Sequence, residues 1–151
     1  MSEQEPGFIA ALEEARRGFK EGGIPIGACL VAEDGDILGR GHNMRIQNCS
    51  AILHAEMAAL DNAGRLPAKA YTGATMYTTL SPCDMCSGAC LLYGIKRVVV
   101  GEHTTLHSTG EEYLKKRGVD VVVFDNAECK DLMEQFIRQK PDVWDEDIGI
   151  E

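Results

Sequence analysis

The sequence contains no run of 18 consecutive apolar residues, so no helix able to cross a bilayer is expected. Its first ten residues, MSEQEPGFIA, lack a basic segment followed by an apolar one, so no secretory signal is expected either. Basic charge is scarce: 15 Lys and Arg against 24 Asp and Glu leave a net charge of -9. A surplus of that sign repels phosphate backbones and anionic membrane surfaces. Neither nucleic acid nor membrane is therefore an expected partner, and small or neutral molecules are sought first. Part of the surplus is local, because the last eleven residues, PDVWDEDIGIE, hold five acids and no base. There is no internal repeat, low-complexity stretch or interior linker, so residues 1–151 are expected to form a single domain.

What is present is an ordinary globular composition, with 44% hydrophobic and 26% charged residues. A chain of 151 residues buries about 68–70% of its unfolded surface, so it needs neither disulfides nor metal merely to fold. Six cysteines could form three disulfides. Without a secretory signal, the reducing cytoplasm is the expected compartment, and diffusion into the nucleus is open to a chain this small. In that setting paired cysteines more often bind metal or do redox chemistry. Cys29, in IGACLVA, and Cys90, in GACLLY, read as small buried hydrophobes. Cys49 and Cys129 carry no signal.

Phe8, Leu12, Ala15 and Phe19 recur at helical spacing, and Gly22-Gly23 ends that first helix. Two strands, Ile26–Ala32 and Asp36–His42, are joined by a turn with an Asp-Gly pair. Ser50 is the expected cap of a second helix, AILHAEMAALDNA, ending at Gly64. Ala74–Thr79 is a strand, and Ser81-Pro82 supplies an expected N-cap and N1 proline for a third helix, CDMCSGACLLY. Then come strand Lys96–Gly101, a short helix near Glu111–Arg117, strand Val119–Phe124 and a long helix, Asn126–Gln139, closed by Pro141. A hairpin followed by alternating strands and helices predicts a three-layer α/β/α fold. Its core is a five-stranded mixed sheet with helices on both faces.

Two strings carry chemistry: His54-Ala55-Glu56, and Pro82-Cys83-Asp84-Met85-Cys86. Cys83 and Cys86 lie one helical turn apart, so both sulfurs can reach one ion, and a helix N-terminus favours the thiolate. With His54 they make a set of one nitrogen and two sulfurs suited to Zn²⁺. Three protein ligands leave a tetrahedral position open, as a catalytic zinc requires, and water near such an ion has its pKa lowered toward about 7. Glu56 falls beside that position as the group that takes and returns protons. The joint pattern, H-x-E followed by P-C-x-x-C, is the signature of zinc-dependent base deaminases. Two other readings stay open: a thioredoxin-like redox pair, and a structural zinc with a fourth ligand from Cys90, His42 or Cys49.

Beyond these motifs, GFKEGGIPIGACLV, GRGHNMR, LHAEMAALDNAGRL, YTTLSPCDMCSGA, YGIKRVVVGE and WDEDIG together resemble segments of the fungal-type cytosine deaminases, within the cytidine deaminase-like superfamily. The resemblance runs from about Ala15 to Gly149. It implies a deaminase fold, a homodimer, one zinc per subunit, and hydrolysis of free cytosine to uracil and ammonia, with 5-substituted cytosines also accepted. It implies that His54, Cys83 and Cys86 hold the zinc and that Glu56 shuttles protons. It further implies that Asn43, Asp147, the Ala55 N–H and the Ser81 carbonyl bind the base. Trp144 and Ile148 would roof the pocket as part of a lid over residues 141–151, and Ile26 joins the substrate contacts. This chain departs from the family in having Leu106 where a phenylalanine packs over the base, and Asp145 where an aromatic is usual. Deamination of guanine, isocytosine or cytidine by the same zinc chemistry, a tRNA adenosine deaminase and a non-catalytic zinc module are the alternatives.

Overall fold

The computed structural model describes residues 2–150. Five strands, β1 (Gly27–Val31), β2 (Ile37–His42), β3 (Thr75–Leu80), β4 (Arg97–Glu102) and β5 (Asp120–Val123), form one sheet in the order β2-β1-β3-β4-β5. β1 runs antiparallel to both β2 and β3, whereas β3, β4 and β5 are parallel. The sheet is thus mixed and five-stranded, as expected.

Among the described residues seven helices surround it: α1 (Pro6–Lys20), α2 (Ala55–Ala63), α3 (Ala68–Tyr71), α4 (Asp84–Leu92), α5 (Gly110–Lys116), α6 (Ala127–Gln139) and α7 (Pro141–Asp147). Alternation along the strands sorts the core into two layers. Cys29, Tyr77 and Val99 meet Phe8, Ala11 and Leu12 of α1 and Cys129 of α6. Ala28, Leu30, Met76, Val98 and Val100 meet Ala55 and Ala59 of α2, Cys90 of α4 and Leu114 of α5. Two helix crossings depend on the absence of a side chain. A Cβ on Gly27 would lie 2.0 Å from the Ala11 carbonyl oxygen, and one on Gly39 would lie 2.4 Å from that of Ala59. No helix among the described residues is long and apolar enough to cross a membrane.

Two local expectations are corrected and two helices are added. The second helix starts at Ala55, with His54 as its N-cap. The Ser50 hydroxyl instead accepts from the Ile52 and Leu53 N–H groups, so its capping chemistry closes a turn ahead of the helix. The helix after β3 starts at Asp84, with Cys83 as its N-cap, because the Ser81 hydroxyl is turned away to Glu111. Pro141 closes α6 but also opens α7, where its fixed φ suits the first helical turn. Finally, α3 is only four residues long, too short to show a hydrophobic period.

Candidate active site

α2 and α4 begin at the same place over the sheet, at the ends of the segments that follow β2 and β3. His54 and Cys83 are their respective N-caps, so both side chains leave the backbone where the helical N–H groups have no intrahelical acceptor. The Cys83 sulfur accepts from the Cys86 N–H, one turn on. His54 Nδ1 lies 3.4 Å from Cys83 Sγ and 3.7 Å from Cys86 Sγ, and the three donor atoms fall within 4.8 Å of one another. All six cysteines are free, so Cys83 and Cys86 form no disulfide here.

The electrostatics suit a cation. The Cys86 side chain hydrogen-bonds to the Cys83 sulfur and, with His54, holds the Cys83 thiol down at about 4. The same contact, added to burial, pushes the Cys86 thiol up. Two facing sulfurs share a proton, and both become thiolates only if a positive ion takes its place. Burial opposes a charge on His54, but the hydrogen bond to Cys83 and the nearby Glu56 outweigh it and raise the imidazole. Glu56 is buried beside them, and burial pushes its carboxyl up to about 7. None of Cys90, His42 and Cys49 joins the cluster. His42 is held between Glu14 and Glu21 at 2.8 Å on each ring nitrogen, so the closed four-ligand reading is not realised among the described residues.

These residues face a cavity of about 270 Å³. Ile26, Asn43, His54, Ala55, Glu56, Ser81, Cys83, Leu106, Trp144, Asp147 and Ile148 all line it; Cys86 lies buried behind His54 and Cys83. Asn43 is 1% exposed, and its Oδ1 accepts from the Arg45 N–H, which fixes the amide orientation. Its Nδ2 is buried with no partner in the protein. An unpartnered buried donor is costly, so this amine is a group awaiting an acceptor. The Asn amide therefore presents the cavity with a free donor, while its oxygen already accepts from Arg45. The Ser81 hydroxyl donates to Glu111 at 2.6 Å and its N–H to the Glu102 carbonyl at 3.1 Å, leaving the Ser81 carbonyl for a ligand.

α7 closes the cavity, with Trp144 buried and Asp147 reaching to 3.9 Å from His54 Nε2. Sequence reasoning missed the residue that holds it there. Arg45 donates from Nη1 to Asp147 Oδ1 at 2.8 Å, from both terminal nitrogens to Glu146 at 3.0 and 2.9 Å, and from Nε to the Ala51 carbonyl at 3.0 Å. The acidic run 145–147 was the available signal, since a basic partner near the site would be needed to dock it. Leu80, Asp84, Ser108 and Thr109 also line the cavity without having been expected. The Thr109 hydroxyl donates to Asp84 at 2.9 Å, and that of Ser108 to the Pro82 carbonyl, tying the loop before α5 to the start of α4.

A five-stranded mixed sheet with helices on both faces, carrying a His-Cys-Cys cluster and a buried glutamate at two helix starts, defines a zinc-dependent deaminase. Residues 1–102 match the cytidine and deoxycytidylate deaminase zinc-binding region, and the chain belongs to that family. The chain is 56% identical over 143 residues to cytosine deaminase of Candida albicans, covering 95% of each. It is 34% identical over 148 residues to tRNA-specific adenosine deaminase of Bacillus subtilis, covering 92% of this chain and 91% of that one. Among solved structures, guanine deaminase from Nitrosomonas europaea shares the fold with a TM-score of 0.69 at 23% identity, covering 90% of this chain and 85% of that one. The metal is zinc, and the nitrogen and two sulfurs that converge here fit one such ion.

Proposed function

We propose that this chain is a cytosine deaminase that hydrolyses free cytosine, and 5-substituted cytosines, to the corresponding uracils and ammonia. The observation that carries this reading is the small cavity roofed by α7. At about 270 Å³ it lies just below the usual range of small-molecule sites, in keeping with a single ring. Identity of 56% to a cytosine deaminase across nearly the whole chain supports the same base.

His54, Cys83 and Cys86 would hold the zinc, which when bound makes water a nucleophile at neutral pH. Glu56 takes a proton from that water and delivers it to the ring nitrogen of the substrate while the new C4–O bond forms. It then takes the proton of the new C4 hydroxyl and passes it to the exocyclic nitrogen, so the C4–N bond breaks, the C4 carbonyl forms and ammonia leaves with uracil as product. Asn43 Nδ2 donates to an acceptor on the base. Asp147 gives Oδ1 to Arg45 and keeps Oδ2 to accept from the amine. The Ala55 N–H and Ser81 carbonyl hold the remaining polar edge, while Ile26, Leu106, Trp144 and Ile148 enclose the ring.

Residues 1–151 read as a single deaminase domain, with 141–151 its lid. The net charge of -9 speaks for a free base over a nucleic acid. Ile52, Leu92 and Tyr93 are exposed, and Ile52 and Tyr93 flank a second groove with Leu53, Met57 and Leu60, an apolar face suited to a homodimer. Six free cysteines suit a reducing cytoplasm, with the nucleus open to diffusion, and the product suits pyrimidine salvage. The test is an ultraviolet assay of zinc-loaded protein on cytosine, cytidine, guanine and isocytosine side by side. Cytosine is expected to be converted fastest. Turnover of another compound with none of cytosine would overturn the assignment.

A further inference from the structure

A second group of metal-ligating side chains lies on the far side of Ser81 from the zinc site. β4 ends at Glu102, and residues 103–109 lead into α5. This segment carries His103 and His107, and Glu111 follows in the first turn of α5. His103 Nδ1 is 3.0 Å from Glu111 Oε2, and His107 Nε2 is 3.7 Å from Glu111 Oε1. The two imidazoles stack with centroids 4.4 Å apart and planes 25° from parallel. One donor atom from each of the three residues lies within 4.8 Å of the others.

The burial gradient suits an ion. The Glu111 side chain is 2% exposed, His103 is 39% exposed and His107 60%. A buried carboxylate therefore forms the floor, and two imidazoles form a rim open to solvent. Among the described residues only these two histidines pair ionically with Glu111; no Lys or Arg does. A buried carboxylate needs compensating charge, and with no Lys or Arg at hand a divalent cation held between it and the two imidazoles would supply it. Two nitrogens and one oxygen are a His-His-Glu set, which takes borderline ions such as Zn²⁺, Ni²⁺ or Co²⁺ in preference to Mg²⁺ or Ca²⁺. Tetrahedral bonds of about 2.0–2.1 Å place donors roughly 3.4 Å apart, and the two histidine–Glu111 separations of 3.0 and 3.7 Å bracket that value.

The position gives such an ion a consequence. Glu111 Oε2 also accepts from the Ser81 hydroxyl at 2.6 Å, and Leu106, Ser108 and Thr109, between the two histidines and the glutamate, line the substrate cavity. We infer that His103, His107 and Glu111 form a second, solvent-facing site for a borderline divalent metal, and that an ion there pins the 103–109 loop over the cavity. This inference stands whichever base is the substrate. It uses neither Cys83, Cys86 nor His54.

The test starts from zinc-loaded protein freed of excess metal, to which Co²⁺ is added while visible absorption and bound metal are measured. Wild type is expected to take up one further equivalent, with d–d bands but no thiolate charge-transfer band. The His103→Gln/His107→Gln double variant, altered at one half-buried and one exposed position, is expected to keep its resident zinc and bind no second ion. The bound ion is also expected to slow chymotryptic cleavage at Leu106 several-fold in wild type and not in the variant. A wild type that takes up no further ion, a thiolate band, or equal uptake by the variant would overturn the site. Unchanged cleavage would overturn the pinning.

Discussion

Arg45 and Asp147 are joined at 2.8 Å, guanidinium Nη1 to carboxylate Oδ1, across 102 positions of sequence. The bond ties the loop that presents Asn43 to the helix that roofs the cavity. Asp147 is nearly buried, and Arg45 also grips Glu146 with both terminal nitrogens. Removing the guanidinium leaves a buried carboxylate facing the cavity without its partner. Arg45→Ala is expected to raise KM roughly 10–100-fold, the worth of a hydrogen bond to a charged group, with kcat falling less. Steady-state kinetics on cytosine would check it. An unchanged KM would mean that α7 stays closed without the clasp.

Glu56 is buried beside the three donor atoms yet is not one of them. Glu56→Ala is therefore expected to keep one zinc per chain, measured by elemental analysis. Its turnover should fall about 10²–10⁴-fold or more, the contribution of a positioned general acid–base. His54→Ala separates the roles, since metal and activity should be lost together. A Glu56→Ala enzyme that retained most of its activity would assign the proton transfers to another group.

The His54-Cys83-Cys86 cluster and the order of the strands along the chain were legible because their signals are local. Two cysteines one turn apart, a histidine and glutamate two apart, and glycines where helices stop are all written within a few residues. The loop-to-helix boundaries were not. Ser50 and Ser81 both have N-cap chemistry, but Ser50 spends it on a turn and Ser81 on Glu111, a partner 30 positions away. The segment of α7 was legible as an acidic tail with a tryptophan in it, and as a lid only through the family resemblance. Its helical form and docking depend on Arg45 and on burial of Trp144, neither of which leaves a periodic pattern. The free donor that Asn43 turns to the cavity was likewise hidden until the Arg45 N–H was seen to bond its oxygen.

Leu106 lines the cavity where an aromatic ring would stack on a flat substrate. Leu106→Phe is expected to lower KM for cytosine about 2–10-fold, as an aromatic pair contributes about 0.5–1.5 kcal/mol beyond area burial. Zinc content should be unchanged. A rise in KM would instead show that the cavity has no room for the ring.

Glu5 gives a pH-dependent element of stability far from the site. Tyr77 donates to its Oε1 at 2.6 Å and Arg97 at 2.8 Å, tying the start of α1 to β3 and β4. Burial opposes its ionisation, but these hydrogen bonds outweigh it and hold the carboxyl below its ordinary value of 4.5. A carboxyl depressed in the folded state adds stability that is full above the unfolded value and is lost as pH falls through the folded one. Urea unfolding from about pH 6 down to about pH 3 should therefore show a shallower loss for Glu5→Gln than for wild type, with a difference of about 1 kcal/mol at the upper end. Parallel curves would mean that the carboxylate is equally stabilised in the unfolded chain.

The six thiols differ enough in access to report on the metal. Cys49 is exposed, Cys83 lines the cavity at intermediate burial, and Cys29, Cys86, Cys90 and Cys129 are buried. Zinc held by Cys83 and Cys86 occupies both sulfurs, so alkylation of the loaded protein should label Cys49 alone. After the zinc is stripped with a chelator, Cys83 should be labelled next and Cys86 only later, because Cys86 lies behind it with no exposed surface. Peptide mapping by mass spectrometry would read the order, with Cys49 as the internal standard for reagent. Equal labelling of Cys83 with and without zinc would remove it from the donor set. Simultaneous labelling of all six after chelation would instead show that the metal holds the fold together, contrary to the expectation that a chain of 151 residues buries enough surface to fold without it.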